Sequence, residues 1–430
     1  MGWTGRVVLQ IMYCRGIKEM EFLPGQNQPH KTHTVMKKFH YLVYFLMIAL
    51  VSGSCKKENN KEGEEPVVQT DIAAIDAKVQ AFMTTYAAPG ASLAISHNGK
   101  LVYRKGYGLA DKTSGEKVTT DHRFRIASVS KTFTAIAIMK LVQDGKLSLS
   151  QKVFGTGSLL GTAYGAAPYS FNVASVTVRD LLRHTSGGWN NSYPGDICFT
   201  NPAMTADQLT DWALKNKPLS NTPGTTYQYS NFGYLVLARI IEKVTAKTYA
   251  AYMKESILQP LGITHTEIMG NTLADRKSGE VVYYGQGSEA ANVYSDPYAR
   301  NDGPMGWIST PTEMLMLFTA ADSSATRPDI LTASTLTAMR TPSAANQYVA
   351  CGLVVENDAA AGGSIWYHFG SLPGTQSVMF RMTNGWCASF VINTRAGNGN
   401  TSQNAFAEML LGIVADNTIA WQDIDQFPPR

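Results

Sequence analysis

The sequence predicts an α+β fold: one antiparallel sheet assembled from both chain ends, flanked by helices, with a helical lobe inserted between. Three observations carry this. Asn98-Gly99 lies between two alternating apolar runs in "ASLAISHNGKLVYRKGYGLAD", and Asn-Gly at such a junction is a strong hairpin signal. A second Asn-Gly, Asn384-Gly385, joins two more strand-like runs near the C-terminus. Between them, residues 150–300 are rich in Gly, Pro, Asn, Ser and Tyr and carry only short helical patterns.

The elements follow in order. "DIAAIDAKVQAFMTTY", from Asp71, has apolar residues at helical spacing. The first hairpin comes next, then an apolar helix over about 128–144 with Asp144-Gly145 as its C-cap. Within the lobe, 176–183 and 231–246 read as short helices. Thr310-Pro311-Thr312-Glu313 is a capping box with Pro at the first helical position, opening a helix to about 321. Strands are expected at 349–357, 364–370, 374–383 and 385–394, and a final amphipathic helix at 402–416.

At 430 residues the chain can bury one large core or two smaller ones, and its 44% hydrophobic and 16% charged composition is that of a globular protein. The net charge of +4 comes from the start of the chain: residues 1–54 hold six basic and two acidic residues, and the remainder holds 31 of each. A neutral body has no electrostatic reason to bind nucleic acid.

Residues 36–55, "MKKFHYLVYFLMIALVSGSC", have a basic start, an apolar run too short to span a bilayer, small residues and a cysteine. This predicts a secretory signal over 36–54 with Cys55 as the lipid-attachment residue of a bacterial lipoprotein, although Ser52 stands where such signals usually carry Leu. Met36 is then the expected start, with 1–35 an upstream mis-start, 55–70 a charged tether and 71–425 the folded domain. The expected location is the cell envelope, periplasmic or surface-exposed, with the membrane engaged only through the lipid. Three body cysteines, Cys198, Cys351 and Cys387, imply no disulfide framework. Cys351 and Cys387, both on predicted strands, are expected to pack as thiols. No Cys/His spacing resembles a metal site, and no cofactor is expected.

The chemistry concentrates in "FRIASVSKTFTAIAIMKLVQDGKLSL", residues 124–149. Ser128 and Lys131 are three apart, which on a helix places them on one face within reach. A serine hydroxyl needs a base, and a buried lysine amine can serve once its pKa falls towards neutrality. The alternative is an N-cap serine with a solvated Lys131, which opposes the helix dipole. Of the three Ser-x-x-Lys triplets in the chain, only this one opens an apolar helix after a strand. Tyr229-Ser230-Asn231 is the only Tyr-x-Asn and supplies a phenol that can shuttle a proton and an amide that can orient a partner; the alternative is a packing Tyr before an Asn N-cap. "WYHFGS", 366–371, can present the His368 imidazole and a backbone N–H from a strand end.

Together these segments resemble the penicillin-recognising serine hydrolases: class C β-lactamases, low-molecular-weight penicillin-binding proteins, D-aminopeptidases and related esterases. Residues 124–149 resemble the nucleophile helix, "VTVRDLLRHTSGG" (176–188) the Leu-Leu-x-His-Thr-Ser-Gly segment, and "PGTTYQYSNFGYLVLARIIE" (223–242) the second motif. "GPMGWISTPTEMLMLF" (303–318) resembles the Gly-Gly-x-x-Ser-Thr segment and "HFGSLPGTQSVMF" (368–380) the third motif. The likeness covers about 71–416.

This resemblance implies a β-lactamase/transpeptidase-like fold and a small-molecule or peptide substrate. It implies Ser128 as the acylated nucleophile, Lys131 as its proton acceptor and Tyr229 as second base. Asn231 would position Lys131 or the substrate. Substrate would be bound along His368, Gly370 and Ser371, with the N–H groups of Ser128 and Ser371 as oxyanion hole. His184 and Ser186 match a segment that looks structural and stay outside the expected site. Where many relatives carry Lys-Thr-Gly, this chain has His368-Phe369-Gly370, which removes a charge and a hydroxyl that would hold a substrate carboxylate. Ester, amide or peptide hydrolysis, cell-wall and D-amino-acid substrates included, therefore ranks above β-lactamase or D-Ala-D-Ala carboxypeptidase activity. A non-turnover penicillin-binding sensor is the remaining alternative.

Overall fold

In the structure, a computed structural model, the described residues are 69–428 apart from 192–194, 323–326 and 396–399. The expected signal, tether and Cys55 lie outside them. Helix α1 (Ala73–Thr85) leads into β1 (Gly90–His97) and β2 (Lys100–Asp111), joined by Asn98 and Gly99, both at positive φ as this tight hairpin turn requires. A two-residue β3 (Glu116–Lys117) adds to the edge of β2. At the other end of the chain lie β7 (Val354–Asp358), β8 (Gly363–Leu372), β9 (Thr375–Met382), β10 (Trp386–Ile392) and a helix over Asn400–Val414.

These strands form one seven-stranded antiparallel sheet in the order β3-β2-β1-β10-β9-β8-β7. The two chain ends meet where β1 pairs with β10, Ala91 opposite Ile392 and His97 opposite Trp386. Side chains alternate between two cores with the period of 2 that a strand imposes. Leu93, Ile95, Phe380 and Phe390 face α1 and the C-terminal helix, where Val79, Phe82, Phe406 and Leu410 meet them. Ala94, Met379 and Val391 face the larger core on the other side.

That larger core holds α2 (Ser130–Gln143), the short α3 (Val178–Leu182), α4 (Ala206–Asn216), α5 (Asn231–Thr245), α6 (Pro311–Thr319) and α7 (Ala333–Arg340); the C-terminal helix is α8. Helix α2 is buried on every face, from Ser130 through Met139, its polar Ser130, Lys131, Thr132 and Thr134 included, so it is a central helix rather than an amphipathic surface one. A second, three-stranded sheet was not foreseen: β4 (Phe124–Arg125) pairs with β6 (Trp307–Ser309), which pairs with β5 (Glu267–Ile268). Its members are too short to show a period in sequence, yet it fixes β4, the approach to α2, beside the segment before α6.

Three local expectations shift. Helix α2 begins at Ser130, and 127–129 form a tighter 3-10 turn before it. Thr310 caps α6 by accepting the Glu313 N–H, but the Glu313 carboxylate turns away to accept from the N–H groups of Thr264 and His265 and from Thr266 Oγ1. The capping box is therefore half-formed, its acid diverted to tie β5's approach to α6. Cys351 precedes β7 rather than lying on a strand; with Cys198 and Cys387 it is a buried free thiol. Among the described residues, no helix is long and apolar enough to cross a membrane, and no cluster of acidic, His and Cys side chains could hold a metal ion.

Candidate active site

The turn before α2 is held from both sides. Ile126 N–H donates to Trp307 O at 3.0 Å. From β9, Thr375 Oγ1 donates to Arg125 O at 2.8 Å and Ser377 Oγ to Ile126 O at 2.7 Å. Ala127 sits at φ 47°, a left-handed conformation that costs a non-glycine residue on the order of 1 kcal/mol. This kink turns the chain outward, so Ser128 is half-buried while Phe124–Ala127 and Val129–Met139 around it are buried. Helix α2 has Val129 as N-cap with no side-chain capping bond, so neither Ser128 nor Ser130 is spent as a cap.

Lys131, the second residue of α2, is fully buried. Its Nζ donates to Ser128 Oγ at 3.1 Å, to Asn231 Oδ1 at 2.6 Å and to Pro304 O at 3.0 Å. Three acceptors match the three donors of an ammonium. Burial still dominates and lowers its pKa from 10.5 to about 7, while the carboxylate of Asp196 pulls in the opposite direction.

Tyr229 and Asn231 arrive together because Ser230 caps α5, accepting the Gly233 N–H at 2.9 Å. The Tyr229 ring then lies 4.9 Å from Lys131 Nζ, with Tyr234 at 5.8 Å. Asn231 is thus the first helical residue, not the cap, and its amide is free to reach Lys131. His184, excluded from the expected site, packs directly beneath it. Its ring is 4.4 Å from that of Tyr229, and its Nδ1 accepts the Ser230 N–H at 3.0 Å. Ser186 donates to Gly188 O and plays a loop role.

The third segment closes the site along β8. At Gly370 an added Cβ would lie 2.2 Å from both Ile126 O and Ser377 Oγ, so only glycine lets β8 run against the turn that carries Ser128. Ser371 follows on the same strand, opposite Gln376. His368 is buried, with its ring 6.4 Å from that of Tyr229. Burial, then the nearby Lys131, push its pKa down to about 3. The imidazole is neutral at any ordinary pH, and since a carbonyl only accepts, its Nδ1–H donates to Phe369 O at 2.6 Å.

Ser128, Lys131, Tyr229, Asn231 and His368 thus lie close together, Gly370 packs on the turn that carries Ser128, and Ser371 follows it on β8. Two polar partners went unrecognised in sequence. Pro304 lies inside the resembling segment 303–318, but nothing there marks a backbone carbonyl as a lysine acceptor. Asp196, which accepts from Asn231 Nδ2, lies in a loop with no pattern at all.

The beta-lactamase family model matches residues 75–412. The chain belongs to the beta-lactamase family. Among relatives of this family member, Protein flp of Staphylococcus aureus (strain MRSA252) is 34% identical over 232 residues, 53% of this chain and 44% of that protein. Penicillin-binding protein 4* of Bacillus subtilis (strain 168) is 29% identical over 249 residues, 56% of this chain and 49% of that protein. The chain spans about half the length of these curated relatives. Solved structures share the fold. The octameric penicillin-binding protein homologue from Pyrococcus abyssi superposes with a TM-score of 0.63 at 24% identity, covering 80% of this chain and 78% of that one. D-Amino acid amidase from Ochrobactrum anthropi complexed with L-phenylalanine amide gives 0.62 at 22% identity, over 80% and 100%.

Proposed function

We propose that this beta-lactamase family member is a serine hydrolase working through an acyl-enzyme on Ser128. The observation that carries the reading is the buried Lys131 amine, 3.1 Å from the one half-exposed hydroxyl at the head of α2. Ser128 Oγ adds to the substrate carbonyl carbon while its proton passes to neutral Lys131. The oxyanion is received by the N–H groups of Ser128 and Ser371. The amine or alkoxide leaves with a proton delivered through Lys131 and Tyr229. Water, deprotonated by the same pair, then adds to the acyl carbon and releases Ser128.

The preferred substrates are esters, amides or peptides, D-amino-acid or cell-wall peptides included, held without a carboxylate clamp. A neutral His368 beside Phe369 supports this, since neither supplies a cation or a hydroxyl. A buried carboxylate would forgo a charge-assisted hydrogen bond of about 1.5–3 kcal/mol. The signal-like 36–55 supports export and anchoring to the cell envelope through Cys55.

Intact-protein mass spectrometry tests the reading. The full chain is mixed separately with ampicillin, p-nitrophenyl butyrate and a D-Ala-D-Ala peptide and followed over time. An adduct that forms and decays, and is absent in Ser128→Ala but retained in Ser130→Ala, is expected with the butyrate ester. An adduct that persists with ampicillin alone would mark a sensor instead. Neither adduct nor product with any of the three would overturn the reading.

A further inference from the structure

Behind the Lys131–Ser128 pair lies a carboxylate that the roles above leave unused. Asp196 is the N-cap of a 3-10 turn over Ile197–Phe199, and its Oδ1 accepts the Cys198 N–H at 2.9 Å. Its Oδ2 accepts from Asn231 Nδ2. Asn231 Oδ1 in turn accepts from Lys131 Nζ at 2.6 Å, and the Asn231 N–H donates to Asn191 Oδ1 at 2.8 Å. A continuous line of contacts runs from Asp196 through Asn231 and Lys131 to Ser128.

A carboxamide has nearly the same shape whichever way round it sits, so its partners decide which end is which. Here they leave one choice. A protonated Lys131 only donates and so needs the amide oxygen. An ionised Asp196 only accepts and so needs the amide NH₂. We propose that Asp196 is a positioning residue that locks the Asn231 amide with its oxygen on Lys131, and so holds the amine against Ser128 Oγ. The inference rests on the Ser128–Lys131 reading above. With a carboxamide at 196, Asn231 is satisfied in either orientation. The flipped one sets NH₂ against the ammonium, donor against donor, or, once the amine is neutral, onto the lone pair that must receive the Ser128 proton.

The same carboxylate also bears on the charge of Lys131. The groups facing the amine are Asp196 and Cys198 from the 196–199 turn, Tyr229 and Tyr234 from α5 and its approach, His184 and His368. Burial keeps the Cys198 thiol protonated and both imidazoles neutral. Burial raises the pKa of Asp196 itself, against the hydrogen bonds from Asn231 and Cys198 and the charge of Lys131; when ionised, it alone among them offers a negative charge to the ammonium.

The experiment compares the full chain with Asp196→Asn and Asp196→Glu. In Asp196→Asn, the plateau of kcat/KM for p-nitrophenyl butyrate falls about 10–100-fold, the usual consequence of a misplaced catalytic group. Its ascending pH limb moves to lower pH. Asp196→Glu restores the position of the limb. In protein carrying ¹³C-labelled lysine, the Lys131 side-chain resonance titrates at lower pH in Asp196→Asn than in wild type, which reads the amine without any turnover. A limb and a Lys131 titration that both stay put would overturn the inference, even if the plateau falls, because Asp196 would then only cap its own turn. A wild-type chain that turns over no substrate overturns the hydrolase reading; the lysine titration then decides this one alone.

Discussion

At the scale of single residues, Lys131 is where stability and chemistry oppose each other. Its pKa falls from 10.5 to about 7 on folding, so between these values the unfolded chain binds a proton that the native one lacks. Stability therefore rises with pH across this window, and the destabilisation is full below about 7. The thermal midpoint of wild type, measured relative to Lys131→Met, should climb from pH 7 to 9.5. In the native chain the neutral amine becomes available as pH rises through about 7, at the lower edge of that window. kcat/KM should rise about tenfold per pH unit below 7 and level off above it, and Lys131→Met should lose about 10²–10⁴-fold. A flat pH profile in wild type would remove Lys131 as the proton acceptor. His368 and Phe369 make a second case. His368→Lys with Phe369→Thr should improve KM for carboxylate-bearing substrates about 10-fold or more, since the restored bond is worth about 1.5–3 kcal/mol. An unchanged ratio of carboxylate to neutral substrates would show that preference is set elsewhere.

Elements decide whether these residues meet. Helix α2 carries Lys131 behind the turn that holds Ser128, and its complete burial gives Lys131 its low pKa. Its apolar run was legible in the sequence, but that every face would be covered was not, since coverage comes from remote elements such as α5 and α7. Strand β8 can run this close to the Ser128 turn because residue 370 is glycine. Gly370→Ala should cost about 1–3 kcal/mol, as overpacking does, and at least tenfold in kcat/KM as β8 moves off Ser128. Gly412 is the contrasting control: it lies in α8 with open space at its Cβ position, and Gly412→Ala should stabilise by about 0.5–1 kcal/mol without touching activity. Equal effects at the two glycines, by thermal unfolding and kinetics, would refute the close-approach argument. Thr310-x-x-Glu313 illustrates where pattern falls short. A capping box reads the same whether its acid closes locally or, as here, reaches across to Thr264–Thr266.

Over the whole molecule, the sheet is the device that converts sequence distance into proximity. Because β1 and β10 pair, the early turn at 126–127 lies against β8 and β9, some 240 residues later, and the lobe between returns Asn231 and Pro304 to the same lysine. The charge distribution also belongs to this scale. The body beyond residue 54 balances basic and acidic residues, so the proposed anchoring would rest on Cys55. Metabolic labelling with palmitate should mark the full chain and fail in Cys55→Ser, which should also leave the membrane fraction. Labelling that survives the substitution would exclude Cys55 as the anchor.

The sequence by itself determined the α+β class, both Asn-Gly hairpins, the apolar helix that follows Ser128 and the residue types of the three motifs. These depend on local turn chemistry and on periodicity, which neighbours along the chain express directly. Only the tertiary structure decided that Lys131 is fully buried, that His368 is neutral, that Pro304 O and Asp196 complete the polar line to Ser128, and that a small second sheet aims β4 at the site. Burial, and the hydrogen bonds that compensate it, are set by groups remote in sequence. A titrating amine takes its pKa from what surrounds it, not from what precedes it.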